Sequence, residues 1–205
     1  MSERILVIVP TYNEMENLPR KAPLILEQDE RIEILVVDDA SPDGTGQLAD
    51  EMAAAAPRVH VLHRKSKDGL GQAYLAGFKW ALEHDFEVIF EMDADISHPP
   101  DALPRLIEAI GTHDFVIGSR YVEGRVTVSN WPMSRLLVSY FGSWYARMIT
   151  RMPVRDATGG FNGWHRRVLE EVGLDRVRSN GDAFQIELKF RAWVKNFTFP
   201  EGPIL

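Results

Sequence analysis

Continuous apolar runs alternate with stretches whose apolar residues recur every three or four positions, and this alternation fills the first 120 residues. Ile5–Val9 is an unbroken apolar run ended by Pro10, and Glu14–Glu27 has helical spacing. Ile32–Val37 is a second buried strand, followed by a helix over Gly44–Ala56 with Ser41 or Asp43 near its start. Val59–Leu62 is a third strand. Gly71–His84 carries Ala, Leu, Phe and Trp at helical spacing, and Val88–Met92 is a fourth strand. Pro100–Gly111 is a helix closed by its glycine, before a strand at Phe115–Ile117. Strands rich in Val and Ile that do not alternate with polar residues are covered on both faces. The expected class is therefore α/β, with a mostly parallel central sheet flanked by helices.

After Tyr121 the pattern changes. Val122–Asn130 is polar and turn-like, Trp131–Met152 is an aromatic-rich helical stretch, Asp156–Gly163 is a Gly-rich loop and Asp182–Val194 is an amphipathic helix. This predicts one domain over 1–205, with a nucleotide-binding half at 1–121 and an acceptor-side half at 122–205. Its 205 residues, 45% hydrophobic and 26% charged, are enough for a sizeable core. Without cysteine there is no disulfide framework or thiolate chemistry, and a net charge of −7 argues against nucleic acid as a partner. No run has the length of a membrane-spanning helix, and Met1–Val9 is too short for a signal peptide, so the chain is expected to be soluble or at most surface-attached.

Chemistry concentrates where strands end. Asp93 and Asp95 follow the fourth strand, at the sheet edge where open α/β folds bind ligands. Paired carboxylates suit a hard divalent cation, which usually completes its shell with substrate phosphates. Taken alone, Asp-x-Asp is more often an acidic turn that caps a helix. Here it joins Pro10–Glu14 after the first strand and Asp38–Gly44 after the second. Arg64, Lys65 and Lys67 follow the third, and Gly118–Tyr121 the fifth. Together these loops supply carboxylates, an aromatic ring and cations, as a metal-bound nucleotide diphosphate requires. Gly69-Leu70-Gly71 is no dinucleotide fingerprint, because Tyr74 stands where the third glycine belongs. P-loop, nucleophile-elbow and zinc spacings are absent. His98 is near enough to Asp95 to matter, and a turn-stabilising role fits it equally.

The segments PTYNE (10–14), VVDDASPDGT (36–45), KDGLGQAYLAG (67–77), MDADISHPP (92–100), GSRY (118–121) and NWPMSR (130–135) fall in order and spacing along nearly the whole chain. In them the sequence resembles the dolichol- or polyprenol-phosphate mannosyltransferases, inverting family 2 glycosyltransferases of GT-A fold. The resemblance implies transfer of mannose from GDP-mannose to a polyprenyl or dolichyl phosphate at the cytoplasmic face of a membrane. It implies Mg²⁺ or Mn²⁺ as cofactor and a peripheral location, and it leaves open a membrane-anchoring partner subunit. By matching position, Pro10, Tyr12, Glu14, Val37 and Asp39 surround the nucleoside. Asp93, Ala94 and Asp95 hold the diphosphate and metal, and Arg120 and Arg135 address the donor or acceptor phosphate. Ser97 stands where some relatives place a glutamine ligand, and Asn162 where a basic residue is usual. The family also continues past Pro203-Ile204-Leu205 into a segment with an arginine and a lysine that cover the donor.

A phosphate monoester is already anionic near neutral pH, so this chemistry needs no strong general base. Two rivals stand beside it: transfer of glucose or another sugar from a UDP-sugar to the same lipid phosphate, and a non-catalytic nucleotide- or lipid-binding module. Trp131–Met152 bears an apolar stripe (Met133, Leu137, Tyr140, Trp144, Met148) with Arg135, Arg147 and Arg151. A lipid-interface helix and a core-facing helix explain that stripe equally well.

Overall fold

The computed structural model describes residues 3–95, 97–120 and 133–203, with side chains from 141 onward in the last stretch. The strands are β1 Ile5–Thr11, β2 Ile32–Asp38, β3 Val59–His63, β4 Val88–Glu91, β5 Phe115–Ser119, β6 Asn162–His165 and β7 Glu201–Pro203. The helices are α1 Leu18–Leu26, α2 Thr45–Ala55, α3 Leu70–Glu83, α4 Leu103–Ile110, α5 Met133–Thr150, α6 Arg166–Val172 and α7 Asp182–Val194. One seven-stranded sheet has the order β3-β2-β1-β4-β6-β5-β7. β1 to β4 pair in parallel, and β6 runs antiparallel to both β4 and β5. The expected α/β class with a mostly parallel sheet is observed.

Strand alternation sorts the core into two layers. Leu6, Ile8, Leu35 and Val37 face α3, α6 and α7, whereas Ile5, Val7, Val9, Ile34 and Val36 face α1, α2 and α4. In register, Thr11 lies beside Asp38 and Ile8 beside Glu91. The loops that leave β1, β2 and β4 therefore emerge side by side at one sheet edge.

Several boundaries differ from the periodicity. β1 continues through Pro10 to Thr11, because its ladder with β4 has stopped at Ile8–Glu91 and a residue without N–H is tolerated there. α1 begins at Leu18 with Pro19 in its first turn, where a missing N–H costs nothing, so Met15–Asn17 form turns. A short 3-10 turn at Pro100–Ala102 precedes α4. β6, α6 and β7 lack a clear pattern of their own. Asn-Gly-Trp-His becomes a strand because Gly163 lets the Phe90 ring lie against its backbone: a Cβ there would stand 2.3 Å from that ring. Val122–Asn130 lies outside the described residues.

Candidate active site

Asp93 and Asp95 stand just past the end of β4, and each carboxylate is held by neighbours. The Tyr74 hydroxyl donates to Asp93 Oδ1 at 2.8 Å, and the Asp93 N–H donates to His98 Nδ1 at 2.9 Å. That second bond puts the His98 proton on Nε2, 3.7 Å from Asp93 Oδ2. The His98 ring stacks on Phe161 with centroids 5.1 Å apart. Burial lowers the His98 pKa, and burial with the nearby Asp93 charge raises that of Tyr74 well above the ordinary phenol. Both groups are thus neutral donors at pH 7. Burial works to raise the Asp95 pKa, but the Ser97 hydroxyl and N–H, both donating to Oδ1, hold it below the usual carboxylate range. The turn-stabilising reading of His98 is the one that geometry supports.

Two cavities meet at this acidic pair. The smaller, about 250 Å³, is bounded by Pro10, Tyr12, Glu14, Asp39 and Ala94, with Asp93 and Asp95 on its wall. The larger, about 610 Å³, has the same two aspartates with His98, Arg120, Tyr145 and Ile149. In the smaller cavity the Lys67 ammonium lies 3.7 Å from the centroid of the Tyr12 ring. Arg64 bonds Asp39 at 2.5 Å, while burial raises the Asp39 pKa. Asn13 (φ 62°) and Ala40 (φ 55°), on the two loops of this cavity, adopt left-handed backbone, a local strain that clusters at ligand sites. Asp38 ends β2 and braces the turn after it: its carboxylate accepts the Ser41 hydroxyl at 2.6 Å and the Ser41 N–H at 3.2 Å.

Most of the expected residues converge here, and two stand apart from the smaller cavity. Val37 is fully buried in the α3-side core and lines neither cavity, because alternation along β2 points it into the layer beneath α3. Arg120 borders the larger cavity and not the smaller. Its Nε and Nη2 bond the buried Asp156 carboxylate at 2.7 and 2.6 Å, so its orientation is set by the Gly-rich loop. The side chain of Arg135, on α5, lies outside the described residues.

Behind the acidic pair is a buried polar cluster absent from the periodicity. Glu91 is fully buried and accepts the Trp164 indole N–H at 2.7 Å and the Gln185 amide at 2.6 Å. Burial raises its pKa. Lys189, equally buried, donates to the carbonyls of Asp156, Ala157 and Gly159 at 3.1, 3.3 and 2.6 Å. Under the acidic loop Lys21 does the same for Asp93 and Asp95. Each lysine sits on the buried face of its helix, beside Leu18, Ala22 and Ile25 on α1, or Phe184, Leu188 and Ala192 on α7. A lysine interrupting an apolar stripe was the signal that could have found them.

The donor set fits a hard divalent cation that arrives with its own oxygen ligands. Among the described residues no cluster of three or more His, Cys, Asp or Glu forms a closed metal cage. Tyr74 and Ser97 use only part of the lone pairs of the Asp93 and Asp95 carboxylates, so each can still offer an oxygen to a cation. Phosphate and water would supply the rest.

A mostly parallel sheet whose carboxyl edge carries an acidic pair between two cavities agrees with the GT-A glycosyltransferase fold. Residues 6–173 match the family described as Glycosyl transferase family 2, and the chain belongs to it. It is 50% identical over 188 residues to an undecaprenyl-phosphate mannosyltransferase of Micrococcus luteus, covering 92% of this chain and 77% of that protein. It is 50% identical over 205 residues to a polyprenol monophosphomannose synthase of Mycolicibacterium smegmatis, covering 99% and 77%. Among solved structures, the mannosyltransferase PcManGT of Pyrobaculum calidifontis, in complex with GDP-Man and Mn²⁺, shares the fold. It has a TM-score of 0.62 at 23% identity, over 98% of this chain and 55% of that one.

Proposed function

We propose that this protein transfers mannose from GDP-mannose to a polyprenyl phosphate with inversion, giving a polyprenyl phosphate β-mannose. The observation that carries this reading is the pair of cavities that share Asp93 and Asp95: one for the donor, one for the acceptor, with the acidic pair between them. The names of the relatives supply the sugar and the lipid class. The smaller cavity takes the nucleoside, with Tyr12 stacking on the base and Asp39, steadied by Arg64, accepting its donors. A Mg²⁺ or Mn²⁺ ion held by Asp93 and Asp95 would supply Lewis-acid stabilisation of the departing diphosphate. Arg120, aimed by Asp156, and Arg135 meet the acceptor phosphate and offset repulsion between two phosphate-bearing substrates. That phosphate is anionic at neutral pH and attacks the anomeric carbon from the face opposite GDP. No side chain needs to remove a proton, which agrees with His98 being committed to the Asp93 amide.

The test is incubation with Mn²⁺ or Mg²⁺, a short polyprenyl phosphate and GDP-mannose or a UDP-sugar, followed by mass analysis of the lipid. Gain of one hexose with GDP release is expected. Transfer only from the UDP-sugar would replace the donor, and nucleotide binding without turnover from any donor would leave a binding module.

A peripheral position on the cytoplasmic face of a membrane is part of the same proposal. Among the described residues no helix is long and apolar enough to cross a membrane. On α5, however, Phe141, Trp144, Tyr145, Met148 and Ile149 are each more than half exposed, with Arg147 in the last turn. Exposed aromatic and aliphatic side chains beside basic ones suit the lipid interface, which favours that reading of α5 over a core-facing helix. The protein is expected to float with anionic liposomes, and Trp144→Ser with Ile149→Ser to cut the bound fraction severalfold. Absence of parent binding with or without anionic lipid counts against this placement.

A further inference from the structure

Lys21 is a lysine on the buried face of α1, only 6% exposed. Its ammonium donates to the main-chain carbonyl of Asp93 at 2.5 Å and to that of Asp95. The carboxylates of Asp95, Asp93 and Glu14 are the charges that act on it. Other neighbours restrain this loop at single points: Tyr74 at the Asp93 carboxylate, His98 at the Asp93 amide, Ser97 at the Asp95 carboxylate. Among the described residues, Lys21 is the group that bonds both aspartates through their main chain. Two carbonyls two residues apart that converge on one donor fix the curvature of the segment between them, and with it the separation of the side chains.

We propose that Lys21 is a positioning residue for Asp93 and Asp95, holding their loop in its ligand-ready shape before any cation arrives. The inference rests on the reading of this pair as the metal–diphosphate site. Two carboxylates so close repel each other, and a fixed ammonium beneath the loop offsets that repulsion while its hydrogen bonds set the spacing. Without it the loop opens in the metal-free protein. Ligand must then reassemble it, and apparent affinity falls by the fraction of molecules already assembled.

Lys21→Met keeps the apolar stem and removes the ammonium. Two quantities are measured on it and on the parent: binding of Mn²⁺ with GDP by calorimetry, and amide hydrogen exchange across residues 92–98 in the metal-free protein. The Asp93 amide reports its bond to His98 and the Ser97 amide its bond to Asp95. The variant should bind Mn²⁺–GDP about tenfold more weakly. Both amides should exchange faster without metal and return to parent rates at saturating Mn²⁺–GDP. A variant with parent affinity and parent exchange, and only a lower melting temperature, overturns the proposal, since filling the core would then be the whole role of Lys21. If the parent itself fails to bind Mn²⁺–GDP, the metal reading falls, and the exchange comparison alone decides for or against Lys21. Should the methionine variant not fold, Lys21→Gln takes its place with the same expectations.

Discussion

Asp95→Asn should leave the fold intact and lower transfer by on the order of 10²–10³. Ser97 donates to Asp95 Oδ1 through both its hydroxyl and its N–H. An asparagine has one acceptor oxygen and one NH₂ group to place on those two positions. With the NH₂ at the Oδ1 position it faces two donors. With the NH₂ at the Oδ2 position it presents hydrogens where a cation needs a lone pair. Neither orientation reproduces the aspartate, although size and shape are kept. Steady-state turnover at saturating Mn²⁺, read beside the melting temperature, checks this. A variant that turns over at the parent rate would falsify the assignment of Asp95 as a metal-holding residue.

Lys189→Met should destabilise the protein by about 3–5 kcal/mol, the usual cost of stripping one partner from a buried charged cluster. Three carbonyls of the Gly-rich loop lose their shared donor. Glu91, fully buried, loses the cation that acts on it, and the equally buried Asp156 keeps Arg120 but loses its second cation. Burial lowers the Lys189 pKa, yet Asp156 and Glu91 pull against that shift, so the three groups are mutually dependent. Urea unfolding at fixed pH measures the difference. A loss below about 1 kcal/mol, the level of one ordinary hydrogen bond, would mean that the loop is held by other contacts. Because Asp156 also orients Arg120, activity should fall in folded Lys189→Met even where stability suffices.

Particular elements show what local pattern can and cannot reveal. α7 was legible over its whole length, Asp182–Val194, because an amphipathic stripe is a property of neighbours in the chain. β4 and its acidic ending were legible for the same reason, an apolar run followed by two carboxylates. β6 was not. Its Asn-Gly-Trp-His has no strand signature, and it exists because β4 and β5 flank it on both sides. Among site residues, Tyr12, Asp39 and Asp93 came from contiguous motifs at strand ends. Tyr74 appeared only as the residue that breaks a glycine fingerprint, whereas in space it is the donor that fixes the Asp93 carboxylate.

By itself, then, the sequence determined the alternation of strands and helices, the edge at which the loops gather and the acidic pair at that edge. Each of these is written in residues a few positions apart. Tertiary structure decided the division into two cavities, the pairing of Arg120 with Asp156 and the seating of Lys21 beneath the acidic loop. Those contacts join residues 36 and 72 positions apart, and no periodicity along a chain encodes which distant side chains its folding will bring within hydrogen-bond reach.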